Sequence, residues 1–168
     1  MNFENLIHHR FSCRKFKNKP VEPEKIKKII EAGILAPTAV NMQPFHIFNF
    51  TSDNAKEALR SCTKCHFGAE HFLLIGAAPD QGWVRKFDDR PFADVDASIA
   101  ATHMMLMAEE LGLATTWVGY FDAPALKKAL PQLDKYDLIA IFPIGYPDEE
   151  PAPRHFERKT SQQLVTEL

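Results

Sequence analysis

From about Phe92 to Leu111 the chain carries a helix-length stretch with almost no polar side. Ala97, Ser98, Ile99, Ala100, Ala101, Met104, Met105, Leu106, Met107 and Ala108 fill its middle. A helix that is apolar all round has to be covered on all sides. In a chain of 168 residues that points to a central helix or to a subunit interface. The methionines read as core, because a flexible thioether fills irregular gaps. Gly112 stands where a C′ residue stops a helix. Glu109-Glu110 read as a solvated helix end, not an acid/base pair.

The flanking segments predict what surrounds this helix. A short helix runs from Asn2 to His9, and a second begins at Val21-Glu22-Pro23-Glu24. Ile26, Ile29, Ile30, Ile34 and Leu35 recur on one face of the second, and Pro37 ends it. Phe45 to Phe50 reads as a strand, followed by a helix through Arg60 that Thr51, Ser52 or Asp53 could cap. His71 to Ala78 is a second strand, and Gln81 to Asp89 a polar loop. Thr115 to Phe121 is a third strand. Asp122 caps a short helix from Ala123 to Leu130. Leu138 to Pro147 is the last core strand, with Pro143 expected to demote its middle to an edge or bulge. The order predicts one domain over residues 1–168, an α/β (α+β) sandwich with helices on both faces of one sheet.

Composition excludes several function classes. A net charge of −2 lacks the basic surface that nucleic-acid binding needs. No apolar run reaches transmembrane length, and the N-terminus has no signal-peptide pattern, so no membrane association and a cytoplasmic location are expected. Three cysteines do not make a disulfide scaffold. Neither a Gly-x-Gly-x-x-Gly nor a Walker loop is present, so any phosphate has to be held by side chains.

Those side chains are found in Arg10-Phe11-Ser12-Cys13-Arg14-Lys15-Phe16, where the first helix gives way to an extended segment. Alternate residues of an extended chain share a face, which puts Arg10, Ser12 and Arg14 together and turns Cys13 and Lys15 away. Two guanidinium forks and a hydroxyl suit a phosphate. Taken alone, the stretch reads first as a solvated basic turn, because short basic runs are common. A second feature is Ala36-Pro37-Thr38-Ala39-Val40-Asn41-Met42-Gln43-Pro44, a proline-bracketed loop whose amides can read a polyol or a heterocycle edge. Cys62-Thr63-Lys64-Cys65-His66 matches the pattern for haem attachment or a dithiol pair. Haem attachment needs export, and zinc needs a second ligand pair, so these read as ordinary thiols and no metal is expected. His46, His71 and His103 read as structural.

Together these features resemble the nitroreductase family of flavoproteins. The resemblance rests on Arg10-x-Ser12-x-Arg14-x-Phe16, on Pro37-Thr38-Ala39-x-Asn41-x-Gln43-Pro44, on Asp96 to Leu111 leading into Gly112-Leu113, on Thr116-Trp117-Val118-Gly119, and on Ile144-Gly145-Tyr146-Pro147 with a basic tail. It implies a three-layer sandwich with a mixed, mostly antiparallel sheet and a C-terminal tail extending to the partner subunit. It further implies a homodimer with FMN at the subunit interface. Arg10 and Ser12 would hold the phosphate with Arg158 from the tail, Lys159 or Arg154 being the alternates, and Phe11 would belong to the same cofactor-binding segment. Arg14 would stabilise charge on the reduced flavin. Pro37, Thr38 and Ala39 would line the ring, Asn41 and Gln43 would bond the ribityl chain or ring edge, and Trp117, Val118 and Gly119 would present backbone to N5 and O4.

The implied activity is ping-pong hydride transfer from NAD(P)H through flavin N5 to a nitroaromatic, quinone or enone-like acceptor. No residue stands out as a general acid. A flavin-storage protein, and a flavin-consuming or dehalogenating enzyme of the same fold, are the alternatives.

Overall fold

The computed structural model describes residues 2–168. Six helices, α1 (Phe3–His9), α2 (Pro23–Ile34), α3 (Asp53–Cys62), α4 (Ala93–Glu110), α5 (Ala123–Ala129) and α6 (Ser161–Leu164), accompany two sheets. The main sheet has the order β1-β2-β6-β5, from Phe45–Phe50, His71–Ala77, Asp137–Gly145 and Ala114–Thr115. All its ladders are antiparallel, and a lone parallel bridge between Ser12 and Thr115 adds the N-terminal segment to its edge.

Strand alternation builds the three layers. Leu73 and Ile75 of β2, with Ala140, Phe142 and Ile144 of β6, face α2 and α4. Phe72 and Leu74, with Ile141, face the other way, onto Leu59 of α3 and Leu126 of α5. Alternate residues point to opposite faces, so a strand buried on both sides is apolar throughout. Local signals place the helix ends as expected. Ser52 accepts from the Ala55 N–H at 3.3 Å, and Asp122 from that of Ala125 at 2.9 Å. At the end of α4, Gly112 has φ +70, its N–H bonds Glu109 O, and the Leu113 N–H bonds Ala108 O, both at 2.9 Å. These are the two bonds of a Schellman motif.

Four expectations change. The third strand is only Ala114–Thr115, and the fourth is interior rather than edge, with no bulge at Pro143. One cause explains both. The register Ala114↔Gly145, Thr115↔Ile144 would next place Thr116 opposite Pro143, which has no N–H to give. The Thr115 hydroxyl donates to the Pro143 carbonyl instead, at 2.7 Å, and pairing resumes in the same register at Val118↔Ile141. The polar loop contains a short hairpin, β3 (Val84–Arg85) with β4 (Arg90–Pro91). Finally, of the two placements expected for α4, the central helix is not met, since within the chain it is covered on one side only. Ala97, Ala100, Ala101, Met104 and Ala108 are buried, whereas Ile99, Met105, Leu106 and Met107 are half-buried and Thr102 is exposed. No described helix is long and apolar enough to cross a membrane.

Candidate functional site

The Arg10–Phe16 segment leaves α1 and runs extended along the sheet edge. The Cys13 N–H donates to Thr115 O at 3.1 Å, and the Lys17 N–H to Tyr146 O at 2.9 Å. Cys13, which is inward, and Lys15, which is exposed, have structural partners. Cys13 is fully buried, its thiol donates to Lys15 O at 3.0 Å, and burial pushes its pKa up. Lys15 pairs with Asp148 at 2.8 Å; the hydrogen bond raises the lysine pKa and lowers that of the carboxyl.

The outward residues are differently placed. Arg10 and Ser12 are half-buried, and their side chains have no hydrogen-bond or ion-pair partner among the described residues. Half-buried donors of this kind are open to solvent and to a ligand. Glu109 approaches Arg10; burial raises its pKa, against the opposing pull of Arg10 and His9. It is half-buried, not the solvated helix end expected of it. Arg14 is exposed. It donates its backbone N–H to the Glu149 carboxylate and folds Nη1 back onto Ser12 O at 3.2 Å. Phe11 meets His155 edge-on at 6.4 Å, which brings the turn Pro153–Phe156, with Arg154, beside the segment. Arg158 and Lys159 are exposed beyond it, and Arg158 Nη1 donates to the carbonyls of His155 and Glu157.

Nearby, Trp117 is 37% exposed and packs edge-on against Phe142 at 5.4 Å. Val118 is buried, while Gly119 is exposed, with open space where a Cβ would sit. The backbone there is accessible to a planar ligand.

The amide loop is held in an unusual conformation. Val40, Asn41 and Gln43 have φ of 53, 56 and 53. The left-handed region suits asparagine but penalises a β-branched residue. The turn is held by Gln43 N–H to Thr38 Oγ1 at 3.0 Å, Gln43 Nε2 to Asn41 O at 3.0 Å, Ala39 N–H to Asp96 Oδ1 at 2.9 Å, and the backbone bonds Asn41 N–H to Thr38 O at 3.0 Å and Met42 N–H to Ala39 O at 3.1 Å. Pro37, Asn41 and Gln43 are exposed; Thr38 and Ala39 are half-buried. Backbone strain held in place this way clusters at ligand sites.

The structure does not bring all the predicted residues together. Arg10, Phe11, Ser12, Arg14, Trp117, Val118, Gly119 and the start of the tail form one group. It lies where α4 ends, as the Glu109–Arg10 proximity shows. The amide loop lies where α4 begins, fastened to Asp96. The rise of an α-helix puts these ends roughly 20 Å apart. The sheet agrees: Thr115 pairs with Ile144 near the end of β6, whereas the loop enters β1 at Phe45, opposite Ala77, which pairs with Asp137 at the start of β6. One protomer therefore holds the two groupings apart.

Two residues escaped the sequence reading. Asp96 is a carboxyl on the buried face of an apolar helix, and that misplacement was its signal. Glu149 sits in an acidic, proline-rich stretch where no pattern singled it out. Cys62 and Cys65 are free, half-buried thiols, and His66 Nδ1 accepts from the Gly68 N–H at 3.2 Å. No group of three or more His, Cys, Asp and Glu side chains able to hold a metal lies among the described residues. His71 bonds Asn49 at 3.0 Å, and His46 packs on Phe48 and Tyr136.

An extended arginine-serine segment, a strained amide loop and a three-layer antiparallel sandwich define a class, and comparison identifies it. The model of the nitroreductase family matches residues 7–67 and 64–146, and the chain belongs to that family. A nitroreductase family protein from Clostridium difficile superposes with a TM-score of 0.91 at 32% identity, covering 99% of this chain and 98% of its own. A Desulfovibrio desulfuricans protein, provisionally named a nitroreductase and solved in complex with FMN, gives 0.84 at 25% identity over 100% and 98%. A Methanothermobacter thermautotrophicus relative, provisionally named an NADH dehydrogenase/NAD(P)H nitroreductase, is 29% identical over 92% of this chain and 82% of its own.

Proposed function

We propose that this protein is an FMN-dependent NAD(P)H oxidoreductase, a cytoplasmic homodimer with two flavin sites shared across the subunit interface. The observation that carries this reading is the separation of the half-sites. Arg10 and Ser12 offer uncommitted donors at one end of α4, and the amide loop stands at the other. A twofold partner docked antiparallel on the half-open face of α4 sets each loop beside the opposite arginine segment. An apolar groove of ≈ 340 Å³ between α1 and the second half of α4, lined by Phe3, Leu6, His103, Leu106 and Met107, could take side chains of such a partner.

The residues present fit the cofactor chemically. Arg10 and Ser12 would hold the phosphate by charged and neutral hydrogen bonds, with Arg158, Lys159 or Arg154 added from the tail. Arg14 would bring positive charge to the electron-accepting edge, and Glu149 fixes its backbone. Pro37, Thr38 and Ala39 would flank the ring. Asn41 and Gln43 would bond its polar edge, and Trp117, Val118 and Gly119 would present main-chain groups to it. Bound FMN supplies the hydride chemistry. The chain binds, orients and excludes water, while a nicotinamide and then an oxidised acceptor (nitroaromatic, quinone or enone-like) occupy the open face in turn.

The test is an absorption spectrum of the purified protein, then steady-state oxidation of NADH and NADPH with a quinone or nitroaromatic. Flavin absorbance with turnover is expected. Full FMN occupancy with no turnover by either reductant would overturn the enzymatic reading, and a flavin-loaded monomer by light scattering would overturn the shared site.

A further inference from the structure

The Asp96 carboxyl is 1% exposed, at the first turn of α4. Its Oδ1 accepts the Ala39 N–H at 2.9 Å, and its Oδ2 is buried with no hydrogen-bond partner. A buried carboxyl oxygen without a partner is costly, so a carboxyl held this way needs a compensating use. The bond it makes crosses between elements, from the interior of the sandwich to a loop whose Val40, Asn41 and Gln43 are all left-handed. Within the loop, Thr38 and Gln43 close the turn on itself, but neither fastens it to the rest of the molecule. Asp96 does. The exit of the loop is tied separately, by the Ala78 N–H donating to Pro44 O at 2.8 Å, so Asp96 is what holds its middle.

We infer that Asp96 is a positioning residue for the flavin-binding loop: it fixes the Ala39 backbone, and through it the left-handed turn that presents Asn41 and Gln43. This inference rests on the FMN reading above and deepens it by assigning the half-site at the start of α4 its anchor. A loop that is already in its binding conformation loses less freedom when a ligand arrives. Removing the anchor therefore weakens binding without removing any group that touches the ligand.

The experiment measures FMN dissociation constants, by quenching of flavin fluorescence on the dimer, beside melting temperatures of the FMN-free protein. Asp96→Ala is expected to weaken FMN about tenfold, the size of one lost hydrogen bond to an anchored backbone. Asp96→Asn keeps an acceptor at Oδ1 and is expected to restore affinity to within about threefold. Ala39→Pro deletes the same bond from the loop side and leaves the buried carboxyl in place; because Ala39 also flanks the ring, the variant is expected to weaken FMN at least as much as Asp96→Ala does. It also keeps the inference testable if Asp96→Ala fails to fold. Combining Ala39→Pro with Asp96→Asn is expected to cancel the rescue. A fall in melting temperature with unchanged FMN affinity makes Asp96 merely structural and overturns the inference. So does an Asp96→Asn variant as weak as Asp96→Ala. A wild-type protein that binds no FMN overturns the underlying functional reading as well, and is told apart by needing no variant.

Discussion

Cys13 gives its backbone N–H to the carbonyl of Thr115 at 3.1 Å, beside the parallel bridge from Ser12 to the same residue. Through this contact, Arg10 and Ser12 are held against the sheet edge close to Trp117, Val118 and Gly119. The arginine segment is thus mounted on a rigid element, although its own conformation is not part of any ladder.

Arg10→Ala removes a charged donor that acts on Glu109 through charge but makes no hydrogen bond or salt bridge among the described residues. The loss is expected to cost FMN binding about 1.5–3 kcal/mol, on the order of ten- to a hundredfold in Kd. Fluorescence titration of the FMN-free dimer measures it. Unchanged affinity would place the phosphate elsewhere.

If each site draws its phosphate donors from one subunit and its amide loop from the other, two defective chains can complement. Arg10→Ala and Asn41→Ala homodimers should each be impaired at both sites. A mixed dimer carries both defects at one site and neither at the other. Unfolding and refolding the two variants together should recover about a quarter of wild-type sites by random pairing. Activity no higher than the mean of the parents would show that each site lies within a single chain.

His71 is kept below its ordinary value of 6.5, by burial first and by Lys56 second. The unfolded chain then binds this proton more readily than the folded one. The resulting stability is complete above the unfolded pKa and is lost as pH falls through the folded one. Urea midpoints should therefore fall on acidification below about pH 6.5, and His71→Gln should flatten that part of the profile. A profile as steep in His71→Gln as in wild type would assign the dependence to other groups.

Cys13 is buried and its thiol is bonded to Lys15 O, whereas Cys62 and Cys65 are partly exposed. Burial raises the Cys13 pKa, which further suppresses the thiolate that reacts. Brief iodoacetamide treatment of native protein should modify Cys62 and Cys65 and spare Cys13 until denaturant is added, read by peptide mass spectrometry. Early labelling of Cys13 would show that the Arg10–Phe16 segment detaches from the sheet.

Much of this was legible in the residues alone, because the signals are local. Helical spacing in Ile26, Ile29 and Ile30, the apolar run at Phe72 to Ile75, the caps at Ser52 and Asp122, and the stop at Gly112 each depend on neighbours a few positions away. The alternation of Arg10, Ser12 and Arg14 against Cys13 is equally local. What failed was non-local. Pro143 by itself points to a fault in its own strand, but its missing N–H falls opposite Thr116 and shortens β5 instead. The order β1-β2-β6-β5 and the direction of α4 follow from register and packing between segments far apart in the chain. The sequence by itself therefore determined the two chemical groupings, the arginine segment and the amide loop. Only the tertiary structure decided that they stand at opposite ends of α4, since side-chain periodicity fixes which way a residue faces within its element and not where the element lies relative to another.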